Sequence, residues 1–319
     1  MKPVQFRAMG TDCHILIEAD DRALEQELAR LAVQRVDILE QCWSRFRPTS
    51  ELSMLNARAG AGSIAVSEDL LLLVSRMAQA WELSDGLFDP TVLQSMNRLG
   101  YDADFATVVT RASGAATDIS VIPAPGMSGV RLDASAATVS LPVGVGLDPG
   151  AIGKGLAADI VAEDLAAAGA RAVLVNLGGD ISIAGALDVP WVVGLDDERL
   201  PRDLEDRTLQ ILEFPAGTDR LGIATSTTMK RRWAQGRRHH VIDPRTGTMS
   251  SSDLVQVTVV DGAAWRAEVL ATTALLQPSD LARTWLDELD IPAILLADDQ
   301  LLSTMAMQTP DTLQEANHG

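Results

Sequence analysis

From residue 172 onward the chain is a succession of strand-like apolar runs, often separated only by short turns, and this limits the fold more than any other feature. The runs are AVLVNL (172–177), a short strand after Gly178-Gly179-Asp180, then 191–195, 209–214, 221–225, 256–260, 292–297 and 301–307. Strands joined by tight turns pair antiparallel, whereas parallel neighbours need a long crossover between them. The pattern therefore predicts an α+β architecture with a mixed or antiparallel sheet and flanking helices, not a doubly wound fold.

The first half supplies most of the helices. DCHILIEA (12–19) alternates polar and apolar side chains as a strand does. A long helix follows from Asp21 to Trp43, its apolar positions Leu24, Leu28, Leu31, Val36 and Leu39 spaced close to the helical period. SELSMLN (50–56) reads as a short capped helical turn. Ser67, followed by Glu68 and Asp69, is an N-cap with acidic first-turn residues, and that helix stops at Ser84-Asp85-Gly86. Short β-like runs lie at 119–122, 130–132 and 138–141. A glycine-rich turn then opens a helix over 148–169, and further helices are predicted over 262–276 and 280–289, with a basic loop over 230–240. There is no internal repeat, heptad pattern or Pro/Ser-rich linker, so residues 1–319 are expected to form a single domain.

Composition narrows the function. The 319 residues are 47% hydrophobic, enough for a proper core, and 26 basic against 44 acidic side chains leave a net charge of −18. So acidic a surface repels phosphate backbones and anionic lipid, which argues against nucleic-acid partners and membrane docking. The N-terminus has no apolar run typical of a signal peptide, and no later stretch suits a membrane span. Cys13 and Cys42 are read as reduced, partly buried thiols. The expected location is cytoplasmic.

Four segments have residue types suited to chemistry. In GAIGKGLAAD (150–159), glycines 150, 153 and 155 let the backbone approach a ligand, the helix start presents free N–H groups, and Lys154 adds charge. It is neither a Walker A loop nor a dinucleotide fingerprint, and a tight turn with a surface lysine fits this segment equally well. NLGGD (176–180) could bring Asp180 to a ligand, but alone it reads better as a β-turn. KRRWAQGRRHHVIDPRTG (230–247) gathers positive charge, yet it lacks interleaved aromatics beyond Trp233. Its adjacent His239 and His240 point to opposite faces if they lie on a strand. In AEVLATTA (267–274), Glu268 and Thr272 share a helix face and offer hard oxygen ligands for magnesium. A solvated glutamate and a helix-bonded threonine are the plainer alternative. No pair among the four histidines has zinc-ligand spacing.

Taken in order, AMGT (8–11), SRFRPTSELSMLN (44–56), DGLFDPTV (85–92), LDPGAIGKGLAAD (147–159), NLGGDI (176–181), IATS (223–226), HHVIDPRTG (239–247) and AEVLATT (267–273) resemble the FAD:protein FMN transferases of the ApbE family. The resemblance implies a T-fold-related α+β unit. It also implies magnesium-dependent transfer of the FMN half of FAD to a threonine hydroxyl of an acceptor protein, with release of AMP. By the same resemblance, Met9, Phe46, Leu87, Phe88, Asp89, Asp148, Lys154 and Ile242 match FAD-binding positions. The carbonyl of Ala151 and the side chains of Glu268 and Thr272 match metal ligands, and His240 matches the general base.

Three departures stand out. Glu268 replaces the usual aspartate, Thr225-Ser226-Thr227 lacks the family's glycine, and the lipoprotein signal of many members is missing. Two other activities stay open: an FAD pyrophosphatase giving FMN and AMP, and a non-catalytic FAD-binding protein. Ser113–Thr117 loosely resembles a flavinylated threonine motif. The resemblance predicts that added FAD loses fluorescence on titration with the protein. A flat titration at micromolar protein would contradict it.

Overall fold

The computed structural model describes residues 3–111, 122–201, 203–298 and 300–307. The segment Ser113–Thr117 and most of the β-like run at 119–122 lie outside the described residues. Eight strands form the main sheet: β1 (Val4–Ala8), β2 (Thr11–Glu18), β3 (Ala172–Leu177), β4 (Asp180–Ala184), β5 (Arg220–Thr227), β6 (Leu254–Asp261), β7 (Ala293–Ala297) and β8 (Leu301–Ser303). Their spatial order is their chain order, and every neighbouring pair is antiparallel. Of the two arrangements open to the sequence, the sheet takes the antiparallel one throughout.

Helices α1 (Arg22–Trp43), α2 (Glu68–Leu83) and α3 (Gly153–Ala167) lie between β2 and β3, and α4 (Ala264–Ala274) and α5 (Ser279–Glu288) between β6 and β7. The two-residue period of the strands sorts their side chains by face. Val173, Val175 and Leu177 join a core with Leu28, Val36 and Leu39 of α1 and Leu156, Val161 and Leu165 of α3. Leu174, Ile183, Ile223 and Ile294 face the other way, against Trp191, Val193, Leu212 and Phe214. These last come from a hairpin, Trp191–Asp196 with Thr208–Phe214, that covers the second face. Val257, Val259 and Leu295 pack with Leu270 and Ala271 of α4 and Leu286 of α5.

Helix starts follow the local chemistry. Asp21 accepts the amides of Ala23 and Leu24, Ser50 that of Ser53, and Ser67 that of Leu70. Arg35 bridges helices, its guanidinium 2.6 Å from Asp69 of α2 and 2.9 Å from Asp164 of α3.

Three segments differ most from expectation. The helix expected over 148–169 occupies only α3, because residues 148–152 form a turn in which the Pro149 carbonyl accepts the amides of Ile152 and Gly153. The loop expected over 230–240 contains a small ladder, Arg232–Trp233 paired with Arg238–His239. The strand expected over 301–307 ends at Ser303 and gives way to a 3-10 turn, Met305–Met307. There the Thr304 hydroxyl takes the Ala293 amide and donates to the Ile291 carbonyl, holding Thr304 against the start of β7. Among the described residues no helix is long and apolar enough to cross a membrane.

Candidate active site

A cavity of about 830 Å³ opens where the β1–β2 turn, the end of α1, the glycine turn, the end of β5 and one face of α4 converge. Every residue that the resemblance matched to the site lines it: Met9, Phe46, Leu87, Phe88, Asp89, Asp148, Ala151, Lys154, His240, Ile242, Glu268 and Thr272.

Its floor is a charge cluster. Lys154, in the first turn of α3, forms ion pairs with Asp180 at the start of β4 and, at 2.8 Å, with Glu268 of α4. The side chains of Asp180 and Glu268 are 2% and 3% exposed, so two buried carboxylates share one ammonium. Burial, and then the neighbouring charge of Asp180, push the Glu268 carboxyl up to about 7 despite Lys154 and the Gly155 amide. Burial opposes the charge on Lys154, but Asp180 and Glu268 outweigh it and raise the ammonium pKa. The cluster is short of positive charge. A cation bound by hard oxygens fits that shortfall, and Glu268, Thr272 and Ala151 offer such oxygens to the same cavity. The Thr272 hydroxyl lies 2.8 Å from that of Ser226, so it is not spent on its own helix; Thr273 makes that bond instead, to the Val269 carbonyl. The plainer readings of a solvated glutamate, a surface lysine and a turn-forming Asp180 therefore give way. In the NLGGD turn it is Asn176 that accepts the Gly179 amide.

Part of the same lining is aromatic. The Phe46 and Tyr101 ring centroids are 5.6 Å apart, and Tyr101 also meets Trp233 at 5.3 Å. The Arg45 guanidinium lies 4.2 Å from the Phe46 centroid and 4.7 Å from that of Tyr101, within cation–π range. Asp148 pairs with Arg45 at 2.9 Å and accepts the Gly150 amide. Asp89 accepts both the amide and the hydroxyl of Thr91. Both acids, which the resemblance matched to FAD-binding positions, line the cavity and also shape turns. Sequence reasoning missed Arg45 and Tyr101. The first sits inside the SRF motif beside a residue that was chosen, and the second is the chain's one tyrosine.

Met9 and Gly10 turn the β1–β2 hairpin with φ of 51° and 69°. Both are left-handed, as a tight hairpin turn requires. The conformation costs a non-glycine residue roughly 1–2 kcal/mol, and here it places a methionine on the cavity.

The two histidines separate, although only His239 lies on a strand and His240 follows on a bend. His240 lines the cavity, whereas His239 is buried away from it on the small ladder beside Arg232. Burial, reinforced by the Arg231 charge, holds the His240 imidazole well below its usual 6.5, so it is neutral at physiological pH. The basic run is partly committed: Lys230 pairs with Glu198 at 2.6 Å and Arg238 donates to the Leu99 carbonyl, while Lys230 and Arg231 also line the cavity.

The ApbE family model matches residues 9–295. The FAD:protein FMN transferase of Vibrio cholerae is 26% identical over 285 residues, covering 87% of this chain and 80% of that protein. The protein of the same name from Treponema pallidum is 26% identical over 287 residues, covering 84% and 76%. Among solved structures, the ApbE protein of Thermotoga maritima superposes with a TM-score of 0.80 at 20% identity, covering 96% of this chain and 97% of its own. The flavin transferase ApbE of Vibrio cholerae superposes at 0.75 and 24% identity, with the same coverage.

A stability prediction follows from His239. Burial and then Arg232 lower its pKa from 6.5 to about 4, and its Nδ1 has no hydrogen-bond partner. The folded state therefore takes up this proton later than the unfolded chain does. The stabilisation is complete above pH 6.5 and is lost as pH falls toward 4. Between pH 7 and pH 5 His239 should contribute about 2 kcal/mol of lost stability. Urea unfolding of wild type and His239→Gln at both values checks this, and the variant should show the shallower pH dependence.

Proposed function

This chain belongs to the ApbE family, and from that premise we propose that it transfers the FMN half of FAD to a threonine hydroxyl of an acceptor protein, releasing AMP. The proposal treats residues 1–319 as one such domain acting in the cytoplasm. The observation that carries it is the convergence of site residues from segments spread between Met9 and Thr272 on one cavity, whose lining holds both aromatic side chains and members of the charge cluster. FAD has a matching polarity, a flat apolar ring system joined to a diphosphate.

Glu268, Thr272 and the Ala151 carbonyl would hold magnesium, which supplies charge neutralisation at the diphosphate when bound. The residues of the chain account for the rest. Lys154 and the glycine-turn amides present positive potential to the phosphates. Phe46 and Tyr101, with Arg45 against them, orient the ring system. His240 accepts the threonine proton as the hydroxyl oxygen bonds to the FMN phosphorus and the bond from that phosphorus to the AMP oxygen breaks. Its depressed pKa makes it a weak base, but one that is unprotonated across the working range.

Incubation with FAD and Mg²⁺, with and without acceptor, tests the proposal when AMP and free FMN are read separately. Transfer yields AMP with the flavin retained on the acceptor. Pyrophosphatase action yields both products free, and simple binding yields neither. His240→Ala should lower the rate roughly 10²- to 10⁴-fold with little change in FAD affinity. His239→Ala should be mild. The wild-type acid limb should fall below pH 6.5, because burial lowers the His240 pKa. A limb at the ordinary histidine value, or a severe loss only at His239, would put the base elsewhere.

A further inference from the structure

We propose that Asp159 is a positioning residue for the Glu268–Thr272 pair, acting through the first turn of α4 without touching metal or substrate. The inference rests on the reading that this pair holds magnesium.

Helix α4 begins without a cap of its own. Ala263 occupies the N-cap and contributes no side-chain hydrogen bond, so the first amides of the helix need an acceptor from elsewhere. Asp159, on α3, provides it. One carboxylate oxygen accepts the Ala264 amide at 3.0 Å and the Ser182 hydroxyl at 2.7 Å, and the other accepts the Trp265 amide at 3.0 Å. The residue is 7% exposed. Its hydrogen-bond donors are two helix amides and a hydroxyl, so this buried charge is spent on a helix start.

The surrounding backbone closes a socket on the same segment. A Cβ on Gly155 would stand 2.5 Å from the Ala264 carbonyl oxygen, and one on Gly222 would stand 2.2 Å from the Ala263 carbonyl carbon. Arg220 donates to the Gly262 carbonyl at 3.1 Å. A second tie lies one turn along each helix, where the Gly155 amide donates to Glu268 at 2.8 Å. Asp159 with Ala264 and Trp265, and Gly155 with Glu268, are two rungs between α3 and α4. Each residue of slippage along a helix moves its side chains by about 1.5 Å and turns them by about 100°. Magnesium tolerates little of either. Loss of the upper rung frees the helix start and releases both ligands from register with Ala151.

Asparagine cannot replace the carboxylate. It keeps the shape but has one oxygen, so its amide N–H meets a helix N–H that it cannot accept.

The test is calorimetric titration of Mn²⁺ into folded protein without FAD, independent of turnover. Asp159→Asn and Asp159→Ala should weaken Mn²⁺ binding roughly 10- to 100-fold, the range for residues that orient metal ligands. Leu39→Ala, a core truncation on α1, should lower the melting temperature and leave Mn²⁺ affinity unchanged. Asp159→Asn carries the test if Asp159→Ala does not fold. Wild-type affinity in the Asp159 variants, or an equal loss in Leu39→Ala, overturns the inference. If the wild type shows no saturable binding that Glu268→Ala abolishes, the metal reading itself fails and the positioning role falls with it.

Discussion

A single ammonium, on Lys154, answers two buried carboxylates that belong to different parts of the chain, and the site is organised around it. Asp180 opens β4, Glu268 lies in α4 and Lys154 starts α3, so the ion pairs tie sheet and helices at one point. Removing one member of such a buried set leaves an uncompensated charge, at a typical cost of about 3–5 kcal/mol. The same arrangement sets two carboxylates against one ammonium at the cavity, and burial first, then the Asp180 charge, raises the Glu268 carboxyl. One interaction thus holds the elements together and creates the electrostatic demand that the proposed chemistry meets.

The motif pieces, far apart in sequence, meet pairwise in space. Thr11 of AMGT fills the space beside Gly178 of NLGGD, where a Cβ would stand 2.1 Å from its hydroxyl oxygen. Asn56 of the SELSMLN turn exchanges two hydrogen bonds with Leu147, just before the glycine turn. Arg45 of SRF grips Asp148 of that turn. Gly247 of DPRTG lies where a Cβ would collide with the Ile122 carbonyl. Several of these residues shape backbone and never need to reach a ligand, which is why the set reads as a unit.

Local signals were legible because their physics is local. Ser67 caps the helix it was expected to cap, and the apolar spacing of α1 put Leu28, Val36 and Leu39 into the core. The sequence tied the His239/His240 split to strand alternation, whereas the strand ends at His239 and His240 lies on the bend after it. What stayed hidden depends on distant partners. Nothing near Asp159 in the sequence says that its carboxylate caps a helix 105 residues later. The burial of Glu268 and Lys154 is set by packing between α3 and α4, and the spacing of AEVLATTA alone favoured a solvated glutamate. Asp89 and Asp148 were matched to ligand positions through their motifs, and nothing in the sequence signalled their bonds to Thr91, Gly150 and Arg45.

The account holds that this one cavity receives the diphosphate and its cation together. Crystals grown with FAD and Mn²⁺, measured for anomalous scattering, test that claim most directly. The prediction is an anomalous peak among Ala151, Glu268 and Thr272, with the diphosphate beside Lys154 and the flavin ring along Phe46 and Tyr101. A peak at other residues, or FAD bound outside the cavity, would contradict it.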